Sequence, residues 1–264
     1  MYSTTNEYGV AFGNEMAGVN LEGIFGFGCN IHRSPFGGRN FEYYSEDAFL
    51  SAKCAERSIY GLKTTGKYAF LKHFALAEGE TCRDSYYPWL SEQALREIYL
   101  KPFQYAVERG GCVGLMTSYN RIGSVWCGGS EALLDGVLRT EWGFKGAVIS
   151  DYSDHNQFMS LNHAIRHGGD LGMAVKLSGS NTTGVRMDHA LRDAVHNVLY
   201  MWLNAQYTAT IANDDYVSSG TMGAVWVWWK PLIYDIDILV GFLSLVFAYK
   251  ILFPLKKEEN KEEN

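Results

Sequence analysis

The chain has 264 residues, 47% of them hydrophobic, enough to bury a full core in one or two domains. Its net charge of -6 offers no basic face, which excludes a nucleic-acid partner. The five cysteines (Cys29, Cys54, Cys82, Cys112 and Cys127) are scattered without a Cys-x-x-Cys pair, which excludes a disulfide framework or zinc site and assigns them to the core.

From the N-terminus, residues 4–17 predict a helix, followed by a first strand at 21–27 and a loop carrying Arg39. A helix over 47–62 leads to a strand at 69–71, with Lys72-His73 just past its end. A helical pattern at 91–109, interrupted by Pro102, precedes a strand at 112–117 and then Tyr119. A helix at 130–141 leads to the strand 146–150, and Asp151-Tyr152-Ser153-Asp154 breaks out at its end. A helix over 156–167, a weaker strand near 170–173 and a helix from 187 to about 203 close the alternation.

Strands alternating with helices of this length predict a parallel α/β fold with both sheet faces covered. Five βα units can be counted, whereas a complete eight-unit TIM barrel needs roughly 250 residues. The expectation is a partial (β/α)8 barrel over 1–205, with its early units missing and Met1 not the natural start of a folding unit. Residues 206–231 are expected to form a linker and an aromatic interfacial segment with Trp226, Trp228 and Trp229. The mostly apolar run 232–255, with Lys250 snorkelling, is expected to be a transmembrane helix, and 256–264 a charged tail. Membrane lipid is then a partner, and Lys256-Lys257 place the tail in the cytoplasm and the catalytic part outside the cell.

A carboxylate just past a strand end is where barrel enzymes place catalytic groups. A retaining glycosidase needs one ionised carboxylate, one protonated acid, and donors that hold the sugar hydroxyls. Arg39, Lys72, His73 and Arg83 are suitable donors, and cationic neighbours are expected to keep Asp151 ionised.

The chain resembles glycoside hydrolase family 3. The segment Gly38-Arg39-Asn40-Phe41-Glu42-Tyr43-Tyr44-Ser45-Glu46-Asp47 is similar to that family's Gly-Arg-Asn-x-Glu loop, and Lys72-His73-Phe74 with Glu80 and Arg83 to its Lys-His-Phe motif. Met116-Thr117-Ser118-Tyr119-Asn120, Gly143-Phe144-Lys145-Gly146 and Val148-Ile149-Ser150-Asp151-Tyr152 follow in family order. The resemblance implies a (β/α)8 barrel and double displacement on β-linked sugars, with no cofactor and no metal. Asp151 would be the nucleophile. Arg39, Lys72, His73 and Arg83 would bind the terminal sugar, Arg39 alternatively pairing with Glu42 or Glu46, and Tyr119 would lie beside the nucleophile.

The sequence also departs from the family. Ala77 and Glu78 stand where asparagine is usual, and no Gly-His-Gly-Asp pattern follows Lys72-His73. The second departure implies the glucosidase or xylosidase branch, whose general acid is a glutamate on an α/β sandwich domain. This chain has no room for that domain. The expected partners are therefore a β-linked glycoside substrate and an upstream sandwich domain, and the chain alone is expected to be inactive. The alternatives are an inactive membrane-tethered glycan-binding remnant or a truncated gene fragment. His163 and His167, at i and i+4, read as structural residues. Asp154 and His155 stand close to the nucleophile, Asp154 also being able to cap a helix, and Asn181-Thr182-Thr183 is a formal sequon. No phosphate-cradling glycine loop or Gly-x-Ser-x-Gly elbow is present.

Overall fold

The computed structural model describes residues 2–153, 158–174, 185–210, 238–242 and 244. Contacts divide the chain into Met1–Tyr216 and Val217–Asn264. In the first unit, α1 (Tyr2–Gly18) precedes β1 (Gly23–Ile24), and α2 (Ala48–Lys63) precedes β2 (Tyr68–Phe74). Next come α3 (Glu92–Ala94), α4 (Lys101–Glu108), β3 (Gly114–Thr117) and a hairpin of β4 (Arg121–Ile122) with β5 (Val125–Trp126). Then β6 (Ala147–Tyr152), α5 (Leu161–Arg166), β7 (Leu171–Met173) and α6 (Val185–Thr210) follow.

The sheet order is β1-β2-β3-β6-β7, and every pairing is parallel. The five expected strands are all present in one curled sheet, in keeping with part of a barrel. Alternation within the strands divides the core in two. Leu71, Leu115 and Val148 face a layer built from Ile59 and Leu62 of α2, Phe103 and Ala106 of α4, and Leu134 and Leu138 of a π-helix (Ala132–Glu141). Phe70, Met116 and Ile149 face the other way and pack against Val198 and Met201 of α6. In a closed barrel these inward positions would fill the interior. α6 covers part of the concave face, in keeping with the expectation that helices cover both faces of the sheet.

Local chemistry sets the helix boundaries. Asp47 caps α2 by accepting a hydrogen bond from Leu50 N at 2.6 Å. Pro102 sits in the first turn of α4, where its missing N–H costs nothing, and a π-helical stretch (Leu95–Tyr99) joins α3 to the residue before α4. α1 and α2 cross closely at Gly9 and Gly61, where a Cβ would collide with the carbonyl oxygens of Ser58 and Asn6 respectively.

Several expected boundaries are corrected. β2 does not stop at Leu71 but runs through Lys72 and His73 to Phe74, and β6 runs past Ser150 through Asp151 to Tyr152. α6 continues to Thr210, so the expected linker begins with helix. Cys82 is exposed rather than buried, and all five cysteines are free. Among the described residues no helix is long and apolar enough to cross a membrane. Most of the run expected to span, 232–255, lies outside them, as do Asp154, His155, the Asn181 sequon and the 256–264 tail.

Candidate active site

Because the strands are parallel, their carboxyl ends share one edge, where ligands bind in α/β proteins. Pairing there is irregular at two places. The β2–β3 register shifts between Leu71 and Phe74, and the β6–β7 register shifts between Ile149 and Tyr152. The shifts span Lys72-His73 and Ser150-Asp151, and such bulges re-aim side chains beside active sites.

Asp151 is buried, 8% exposed. Its Oδ1 accepts from Tyr152 N at 2.7 Å, while its Oδ2 has no hydrogen-bond partner and lies 3.7 Å from His73 Nε2. That separation exceeds a hydrogen bond, so both groups keep capacity for a third molecule. Burial raises Asp151 above the usual aspartate range despite opposition from Tyr152 N–H, Arg83, Tyr119 and Arg39. The expectation that cationic neighbours dominate is therefore corrected: desolvation outweighs them. Burial also lowers His73 well below its usual range, assisted by Arg39, Lys72 and Arg83, so its imidazole is neutral.

The cations form a chain linked by carboxylates. Glu42 pairs with Arg39 and lies 3.3 Å from Lys72 Nζ. Glu80 Oε1 lies 3.7 Å from Arg39, and its Oε2 lies 2.9 Å from Arg83. Burial opposes ionisation of Glu42, but Arg39 and Lys72 win and hold it below the usual range. Gly38, at φ +88°, turns the chain immediately before Arg39 into a conformation that favours glycine. Arg83 follows Cys82, itself at φ +53°, and its guanidinium stacks 4.4 Å above the Tyr119 ring. Burial and the Asp151 charge raise the Tyr119 phenol.

All six residues expected from sequence thus join one network around Asp151. Arg39 makes the Glu42 pair anticipated for it while remaining in that network. Four contributors went unassigned. Glu42 and Glu80 stood inside the quoted motifs, but Glu42 was read only as a possible partner of Arg39 and Glu80 was given no role. Tyr43 stood in the same quoted loop as Glu42, and Asn30 gave a weaker signal, a buried polar group in an otherwise ordinary segment. Tyr43 OH lies 3.4 Å from His73 Nδ1 and donates to Ala77 O at 3.2 Å. His163 and His167 make an edge-to-face ring contact at 4.7 Å, away from this network.

The family model for the glycosyl hydrolase family 3 N-terminal domain matches residues 2–198. The chain belongs to glycosyl hydrolase family 3. It is 46% identical over 143 residues to β-glucosidase B of Emericella nidulans, covering 54% of this chain and 17% of that one. It is 41% identical over 158 residues to an exo-α-(1→6)-L-arabinopyranosidase of Bifidobacterium longum, covering 60% and 21%. The structure of β-glucosidase 3B from Thermotoga neapolitana in complex with glucose superposes with a TM-score of 0.70 at 33% identity, over 79% of this chain and 32% of that one. This family 3 chain therefore spans well under a third of the length of these two curated relatives.

Proposed function

We propose that this chain carries the nucleophile half of a β-glucosidase-like active site. The carrying observation is Asp151, a buried carboxylate with one unpartnered oxygen, facing a neutral histidine within a ring of tethered cations. In this reading the Asp151 carboxylate attacks the anomeric carbon as the glycosidic C–O bond breaks. A general acid from a domain outside this chain, expected to be the upstream sandwich, protonates the leaving oxygen. Water then cleaves the glycosyl ester and regenerates the carboxylate. Arg39, Lys72, His73 and Arg83 hold sugar hydroxyls, with the carboxylates Glu42 and Glu80 fixing the arginine and lysine side chains in advance. Tyr119 orients Asp151 or contacts the ring. The substrate class is a β-linked glucoside or xyloside, consumed in carbohydrate metabolism, and the arabinopyranosidase relative widens the sugars worth testing.

The apolar run at 232–255 supports a second part of the proposal, a membrane anchor that keeps the catalytic part outside the cell. Extraction of the full chain by alkaline carbonate would overturn the anchor. For the chemistry, incubation of the complete enzyme with a 2-fluoro glucoside should add one glycosyl group at Asp151, read by peptide mass spectrometry. Asp151→Ala should abolish the adduct, and labelling that survives in that variant refutes the assignment.

A further inference from the structure

Glu78 makes no hydrogen bond or ion pair with Asp151 or with the proposed sugar-binding donors among the described residues. It is nevertheless buried, 4% exposed, in the middle of the loop that leaves β2. Its Oε1 accepts from Asn30 Nδ2 at 3.4 Å and from Ile31 N at 3.5 Å, while its Oε2 is buried without a partner. Asn30 is fully buried and grips the backbone of His73 from both sides. Its Oδ1 accepts from His73 N at 2.7 Å, and its Nδ2 donates to His73 O at 3.0 Å. His73 is the residue whose Nε2 faces the free oxygen of Asp151. Thus Glu78, Asn30, the His73 peptide and the His73 ring form one continuous line ending at the nucleophile.

We propose that Glu78 is a positioning residue: through Asn30 it fixes the His73 peptide group, and with it the imidazole opposite Asp151. A carboxyl group half satisfied in the interior is costly. A leucine would fill the space without that cost, but it would leave the Asn30 amide and Ile31 N–H without their acceptor. The groups facing Glu78 are Arg33, Cys29, Tyr43 and Cys127. Burial, opposed by Asn30, Ile31 N–H and Arg33, pushes Glu78 up to about 7, so its charge changes within the neutral range. The inference rests on the glycosidase reading for its purpose, but its geometry holds without that reading.

The test is imidazole ¹⁵N spectroscopy of the full chain between pH 5.5 and 8.5, with the His73 signals assigned by their loss in His73→Gln. In the wild type these signals should shift near neutrality while His73 itself stays neutral. Glu78→Gln, which imitates the protonated acid, should remove that step and keep the ring signals near their acid-side positions. Glu78→Ala should displace them at every pH and weaken glucose binding about tenfold, as expected when a buried hydrogen bond is left unmade. If Glu78→Ala does not fold, the Gln variant decides alone. A neutral step that persists in Glu78→Gln, or unchanged His73 signals in folded Glu78→Ala, overturns the proposal. A wild type that shows the Glu78-dependent step, while the complete enzyme binds neither glucose nor xylose, supports the positioning role and overturns the glucoside or xyloside reading.

Discussion

At Asp151, function and stability pull in opposite directions. Burial raises its folded-state pKa above that of the unfolded chain. The stability it contributes is therefore fully present below the ordinary aspartate range and is lost as pH rises through the folded value. Asp151→Asn should consequently melt higher than the wild type at pH 7, with the difference vanishing on acidification below about 4. Equal melting temperatures for the two proteins across that range would refute the desolvation argument. Asp170 is buried as well, and burial pushes it up to about 6 although its partners oppose the shift. Asp170 accepts from Val148 N at 2.6 Å, Arg139 at 2.7 Å and Asn197 at 2.9 Å, tying β6, the π-helix and α6 together. Arg139→Ala leaves that carboxylate short of its counter-charge and should cost about 3 kcal/mol in denaturant titration. The six candidate residues that the structure brings together could be picked out in the sequence because each belongs to a short ordered motif. The dominance of desolvation at Asp151 was not legible, since cationic neighbours can be read from a motif but the depth of burial cannot.

The elements follow hydrophobic periodicity closely, and their ends follow it poorly. Polar Lys72, His73 and Asp151 looked like strand terminators, yet they lie within β2 and β6. A strand tolerates them there because the ladder shifts register at those positions and turns the side chains towards the open edge. The β4–β5 hairpin was missed, although Gly123-Ser124 between Ile122 and the apolar pair Val125-Trp126 is a usable turn signal. At the α1–α2 crossing, Gly61→Ala would push a methyl group into the Asn6 carbonyl. It should destabilise the protein by about 1–3 kcal/mol as an overpacked contact, despite the better helix propensity of alanine. A more stable Gly61→Ala would show that the helices can separate freely.

For the molecule as a whole, the alternation of strands and helices revealed the α/β class and the five parallel units. It did not reveal which layer α6 would join, because an amphipathic helix fits any apolar face of the right width. Met201, 4% exposed on the concave side, measures how much that choice matters. Met201→Ala should cost about 2–3 kcal/mol, and a loss under about 0.5 kcal/mol would mean that α6 contributes little there. Strand order carries another consequence. In β1-β2-β3-β6-β7 every strand lies beside the one made just before it in the sheet. As the polypeptide leaves the ribosome, each new βα unit meets a partner already in place, so the sheet can grow from one end like a zip. Among the described strands of this sheet, none waits for a distant stretch to be translated. The candidate site comes together when β6 delivers Asp151, after the other five residues have been laid down and before α5, β7 and α6 are made.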